Sequence, residues 1–149
     1  MRAIVQRVKN ASVTVDNNVI GKISHGLLVF LGVGEGDVEA DMKYIADKVI
    51  GLRIFSDSED KMNLSVTDVD GEILVISQFT LYGDCRKGRR PNFTASMEPK
   101  GAEAMYEKFI EYVKSQGIKT EHGEFGADMK VNLLNDGPVT LILDSSKII

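Results

Sequence analysis

Ser77, Gln78, Phe79 and Thr80 put two hydroxyls, an amide and an aromatic ring into four consecutive positions, directly after the apolar run Ile73-Leu74-Val75-Ile76. Such a set can hold the polar groups of a substrate, and a rigid strand positions it better than a free loop would. Taken alone, the same residues also suit a strand end that satisfies its own turn. A covalent hydrolase needs a nucleophile with a base in reach. Ser77, Thr80 and the single cysteine, Cys85, are candidates for the first role, but only His25 and His122 are present for the second, and neither sits in a recognisable catalytic frame. There is no GxSxG elbow. Gly32-Val33-Gly34-Glu35-Gly36 lacks both the Lys-Ser/Thr of a P-loop and the spacing of a dinucleotide fingerprint. Two histidines without cysteine partners argue against a structural zinc site. Chemistry here would rest on positioning and backbone hydrogen bonds acting on an already reactive substrate.

Two other stretches stand out. Asn135-Asp136-Gly137-Pro138 separates two strand-like segments. Taken alone it reads first as a simple hairpin turn; the other reading is a turn with a cis proline in which the side-chain-free Gly137 lets the backbone approach a ligand closely. Arg86-Lys87-Gly88-Arg89-Arg90-Pro91 carries four positive charges in six residues. Gly88 and Pro91 make it a loop. By itself it reads as a solvated charge run; beside a site it is equally able to hold phosphates.

The elements that must position these residues follow from periodicity. Arg2–Val8 and Ala11–Asp16 read as strands, the second alternating cleanly, with Asn17-Asn18 as a turn into a meander through Val19–Ile23. Leu27–Val33 is apolar enough to be buried on both faces. Asp37 suits the N-cap of a helix whose stripe is Val38, Met42, Ile45, Val49 and Leu52. Arg53-Ile54-Phe55 is a short strand, Ser56–Lys61 a polar loop, and Leu64-Ser65-Val66 leads to a hairpin signal at Asp70-Gly71. Ile73–Ile76 is a central strand. Pro99 opens a second helix, buried through Ala102, Met105, Phe109, Ile110 and Val113, with Gly117 as its stop. Lys130–Leu134 and Val139–Leu143 return to strands.

At 149 residues, 43% hydrophobic and 27% charged, the chain is expected to form one globular domain. No apolar run approaches the roughly 20 residues that span a bilayer. The start of the chain enters a strand pattern at once, so no cleavable signal is expected. A lone cysteine allows no internal disulfide and points to a reducing, cytoplasmic setting. The net charge of −4 argues against indiscriminate nucleic-acid binding, while leaving room for a local basic patch.

The pairing of SQFTL at Ser77–Leu81 with NDGPVT at Asn135–Thr140, about sixty residues apart, closely resembles the D-aminoacyl-tRNA deacylase family, formerly called D-tyrosyl-tRNA deacylases. The resemblance runs from Val5-Gln6-Arg7-Val8 through Phe125-Gly126-Ala127-Asp128-Met129 to the last strand, with no departure at the motif positions. It implies a compact α/β domain over residues 1–149, with two mixed, barrel-like sheets and two main helices on one side. It implies hydrolysis of the ester joining a D-amino acid to the 3′ end of tRNA, without metal or organic cofactor. It also implies a homodimer in which Gly137-Pro138 of one subunit, the proline cis, enters a pocket of the other formed by Ser77, Gln78, Phe79 and Thr80, with Arg7 bracing the Gly-Pro turn. Thr80 falls at the position proposed for a nucleophile. The alternative view of the family, that the neighbouring ribose 2′-OH helps to activate water while the protein supplies oxyanion and amino-group contacts, fits a chain this poor in histidine better. Rejection of an L side chain by the Gly-Pro backbone would leave glycyl-tRNA, which has no side chain to reject, open to hydrolysis. A non-catalytic module that binds the tRNA end would share the basic loop, but would not need both motifs.

Overall fold

The computed structural model describes residues 1–149. Arg2–Val15 is one continuous strand, β1, rather than two. Asn18–Ile23 (β2) folds back on its C-terminal half and Gly26–Gly32 (β3) on its N-terminal half, both antiparallel. The turn before β2 sits one residue earlier than the asparagine pair suggested, with Asp16 and Asn17 both at positive φ (48° and 64°). Two left-handed residues in succession make the primed turn that a twisted hairpin prefers.

Helix α1 spans Glu39–Gly51 and buries Met42, Ile45, Ala46 and Val49. Its N-cap is Val38, not Asp37. The Asp37 carboxylate instead meets the Met1 ammonium at 2.6 Å and the amide of Gly34 at 2.6 Å. Asp41 accepts the Val38 amide at 2.9 Å, so the helix start is satisfied from inside its first turn. The short strand after α1 is Phe55–Ser56 (β4), paired with Met62–Leu64 (β5) in a separate two-stranded sheet.

Glu72–Ser77 is β6, and Asp70 takes the positive φ of 52° that a tight turn requires. No hairpin forms there. β6 runs parallel to β3 on one side and to Thr120–His122 (β7) on the other, so it pairs with strands far away in sequence and not with its predecessor. Helix α2, Pro99–Ser115, begins where expected: the Glu98 carboxylate accepts the Lys100 and Gly101 amides, and Gly117 at φ +80° ends it.

The last strand, β8, is unbroken over Lys130–Asp144 and pairs only with β1. The expected pair of strands with a hairpin turn between them is therefore one strand carrying a wide bulge. Gln6 faces Thr140 and Val8 faces Asn135, so Arg7 alone opposes the four residues Asp136–Val139. Such a bulge on an edge strand is one of the few places in a sheet that tolerates proline. The Gly137-Pro138 bond is trans; the structure has no cis peptide, contrary to the cis form implied by the resemblance. The physical reason is that Gly137, at φ +116°, makes the bend itself, which leaves the proline in its intrinsically favoured isomer.

The large sheet runs β2-β1-β3-β6-β7, with β8 on the other edge of β1. It is mixed and curls until β2 lies against β6 and β7, which gives it a near-barrel character. Leu27, Val29, Leu31, Ile73 and Val75 face both helices in the main core, packing with Phe109, Ile110 and Val113. The alternate residues Leu28, Leu74 and Ile76 face a second core made by the folded-over half of β1 with β2, through Val8, Val13 and Ile23. Burial on both faces is why β3 and β6 read as continuous apolar runs.

Candidate active site

β6 ends at Ser77, and the chain then tightens into a single 3-10 turn, Phe79–Tyr82, rather than continuing as a strand. This turn leaves the first main-chain N–H groups, those of Phe79 and Thr80, without acceptors inside it. Beside it opens a cavity of about 620 Å³. Ser77, Gln78 and Phe79 form one wall, Leu31, Val33 and Ile76 the floor, and Met97 just before α2 with Ala102 and Tyr106 in its first half the far side. Phe125–Met129 closes the remaining edge. The lining is mostly apolar with a few polar side chains, among them Ser77, Gln78, Glu98 and Asp128, the usual make-up of a small-molecule site.

Thr80 does not line the cavity. It is exposed on the 3-10 turn, and its hydroxyl oxygen accepts from the Gln78 side-chain amide, which ties it to the wall without placing it inside. The Phe79 ring is 55% exposed and meets Phe93 edge to face at 5.2 Å, so the two rings form a lip. The buried Tyr106 hydroxyl donates to the Val75 carbonyl at 2.9 Å, and the Gly123 amide donates to the same oxygen at 3.1 Å. Burial pushes the Tyr106 hydroxyl well above the usual phenol range, so it serves as a neutral donor.

No histidine faces this cavity. His122 lies in the neighbouring groove, its Nδ1 at 2.7 Å from the Gly123 carbonyl. His25 packs edge-on to Phe55 at 5.1 Å; burial lowers its pKa first, Lys9 and Arg7 lower it further, and Asp136 opposes them.

Gly137 and Pro138 are exposed and lie outside the cavity of their own chain. The bulge that carries them is held firmly. The Asn135 amide donates to the carbonyls of Arg7 (3.0 Å) and Val139 (3.1 Å). Arg7 donates through Nε to the Asp136 carbonyl at 3.1 Å and through Nη1 to the Ile54 carbonyl. The Asp136 carboxylate takes ion pairs from Arg7 at 3.4 Å and Lys9 at 3.5 Å. A Cβ on Gly137 would overlap Arg7 Nη2.

The structure therefore brings Ser77, Gln78 and Phe79 together, attaches Thr80 at one remove, and sets Arg7, Gly137 and Pro138 elsewhere as a braced unit. Sequence reasoning did not place Phe93, Met97 or Tyr106 at the site. Their only local signal was an aromatic residue following the basic loop and a helix start soon after it.

Known proteins match this chain over nearly its whole length. The family model described as D-Tyr-tRNA(Tyr) deacylase matches residues 4–144. The chain is 61% identical over 147 residues to a D-aminoacyl-tRNA deacylase of Halothermothrix orenii, and 62% identical over 147 residues to one of Clostridium botulinum; each alignment covers 99% of both chains. Among solved structures it is similar to a c-Myc DNA Unwinding Element Binding Protein, with a TM-score of 0.91 at 39% identity over 97% of this chain and 98% of that one. A probable eukaryotic D-amino acid tRNA deacylase shares the fold, with a TM-score of 0.80 at 17% identity over 95% of this chain and 97% of that one. With the Ser77–Phe79 wall, the braced Gly-Pro bulge and this likeness along its length, the chain belongs to the D-aminoacyl-tRNA deacylase family.

Proposed function

We propose that this protein hydrolyses the ester between a D-amino acid and the 3′ end of tRNA, accepts glycyl-tRNA as well, and rejects the L-aminoacyl ester. The observation that carries the reading is the apolar cavity with Ser77, Gln78 and Phe79 on its wall and no histidine facing it. The two carboxylates on the cavity's rim are engaged elsewhere, Glu98 with the Lys100 and Gly101 amides and Asp128 with Lys130, and a site of this kind suits an activated ester whose own ribose 2′-OH sits beside the carbonyl. The protein then contributes main-chain donors to the developing oxyanion and holds the amino group. The test is loss of ester from D- and L-aminoacyl-tRNA incubated with the protein. Binding of the tRNA end without cleavage of either ester would leave only the non-catalytic module. The reading also places the reaction in the cytoplasm, where the exposed Cys85 thiol stays reduced.

Thr80 is a positioning residue in this scheme, since it touches the cavity wall only through Gln78. Thr80→Ala should slow deacylation by about 10-fold, the scale of one lost hydrogen bond to a wall residue, and leave it measurable. Complete loss in a folded variant that still binds tRNA, or an ester trapped on Thr80, would overturn this.

A complete site in the proposed scheme takes Gly137-Pro138 from a second copy. Supporting this are the absence of both residues from the cavity of their own chain, the unpaired outer edge of β8, and the exposure of Leu134 and Ile142 on that strand (56% and 54%). Specific activity should then fall on dilution below the dimer dissociation constant. A monomer with full activity excludes the shared site.

A further inference from the structure

Between the lip of the cavity and α2, the chain makes an excursion whose base is closed by two backbone hydrogen bonds. The Asp84 amide donates to the Asn92 carbonyl at 2.7 Å, and the Asn92 amide to the Asp84 carbonyl at 3.0 Å. Everything between, Cys85–Pro91, is exposed, with Gly88 at φ +71° near the tip. The excursion leaves from the 3-10 turn that carries Phe79 and returns to Phe93, whose ring lies against Gly83 and lines the cavity. Its position is therefore set by the lip itself.

The four cations of this loop are not equivalent. Arg86 is paired on both sides of one carboxylate, through Nε to Asp84 Oδ1 at 2.9 Å and Nη2 to Oδ2 at 2.6 Å, and its amide also donates to Oδ1 at 3.0 Å. The guanidinium holds the Asp84 carboxyl far below the usual carboxylate range. Lys87, Arg89 and Arg90 make no ion pair and no side-chain hydrogen bond within the chain. In a protein of net charge −4, three unpaired cations within four residues on a pinned loop form a local patch of positive charge suited to anions.

We propose that the loop Asp84–Asn92 grips the phosphodiester backbone of the single-stranded 3′ end of the substrate RNA through Lys87, Arg89 and Arg90, while Arg86 is withdrawn from that task and shapes the loop. The inference rests on the proposed function and adds to it how the RNA, as distinct from the amino acid, is held. Three phosphate contacts to a single strand correspond to a log–log salt slope of about 2, because each contributes about 0.7, and hence to about 20-fold in affinity between 50 and 200 mM salt. Arginine suits this task because its planar fork meets two phosphate oxygens at once.

The experiment compares wild type, the triple variant Lys87→Gln/Arg89→Gln/Arg90→Gln, and Arg86→Gln on two substrates: D-alanyl-tRNA, and 3′-O-D-alanyl adenosine, which has no phosphodiester. On the tRNA ester the triple variant should raise KM, flatten the salt slope by about 2 and leave kcat unchanged. On the adenosine ester it should match wild type, and Arg86→Gln should keep the wild-type slope on tRNA to within about 0.3. An unchanged slope in the triple variant, or equal losses on both esters, overturns the proposal, and a slope flattened by Arg86→Gln overturns the division of labour within the loop. A wild-type protein that cleaves neither ester is the distinct outcome that removes the proposed function, and this inference with it.

Discussion

Gly137→Ala should destabilise the protein by about 2–4 kcal/mol and lower its turnover of a D-aminoacyl ester by about 100-fold or more. Two independent features of the bulge set the first figure. The backbone at Gly137 has φ +116°, a region that costs a residue with a side chain about 1–3 kcal/mol. The added methyl would also overlap Arg7 Nη2. Arg7 cannot simply swing away, because Nε and Nη1 are committed to the carbonyls of Asp136 and Ile54, and a hydrogen bond from a charged group is worth about 1.5–3 kcal/mol. The activity figure follows from the proposed role of the Gly-Pro backbone: a shift of about 1 Å in a positioning group costs about 100-fold. Thermal unfolding and single-turnover deacylation read the two effects. Because both act through Arg7, the losses in Arg7→Ala and Gly137→Ala should be less than additive in the double variant. An alanine variant that keeps both the wild-type Tm and the wild-type turnover would show that the bulge does not need its present shape.

The other large effect is chiral selectivity. D- and L-alanyl esters offer the same atoms, so the site must separate them by the direction of the methyl group. If the amino group and the carbonyl are both held by main-chain groups, the two remaining directions at Cα are fixed, one for hydrogen and one for the side chain. Gly137-Pro138 of the second copy, made rigid by Arg7 and Asn135 rather than by a cis bond, is proposed to fill the direction of an L side chain. Crowding of that kind costs several kcal/mol, so L-alanyl-tRNA should be cleaved at least about 100-fold more slowly than D-alanyl-tRNA. Glycyl-tRNA, with hydrogen in both directions, should be cleaved at a rate close to the D ester. Pro138→Ala removes part of the obstruction and should raise cleavage of the L ester by about 10-fold, the scale of one or two methylenes. Hydrolysis of the L ester by wild type at a rate near that of the D ester, or full resistance of the glycyl ester, would sink this account.

How far the sequence reached depended on how far apart the interacting residues lie in the chain. The β6 run Ile73–Ile76, the start of α2 at Pro99 and its end at Gly117 all follow from neighbours within a few positions, and the structure keeps each of them. The helix stripes hold at their centres, with Met42, Ile45 and Val49 buried in α1 and Ala102, Phe109, Ile110 and Val113 in α2, but Val38 is an exposed N-cap, Leu52 lies past the end of α1, and Met105 is only half-buried beside a buried Tyr106. The SQFTL and NDGPVT motifs and their order are likewise properties of the sequence alone, and they were enough to indicate the family. Pairing was a different matter. Asp70-Gly71 does carry a tight turn, yet β6 joins β3 and β7 in parallel, because strand partners are chosen by burial on both faces and not by the nearest turn. Asp37 has the chemistry of an N-cap, but the ammonium of Met1, distant in sequence, takes its carboxylate. Asn135–Pro138 reads locally as a hairpin, and only the long partner β1 reveals that the strand runs through it as a bulge with a trans proline. The far wall of the cavity, Phe93, Met97 and Tyr106, was illegible for the same reason. Local backbone preference is written in adjacent residues, whereas a cavity is the space left when distant elements pack, and only the packed structure holds those distances.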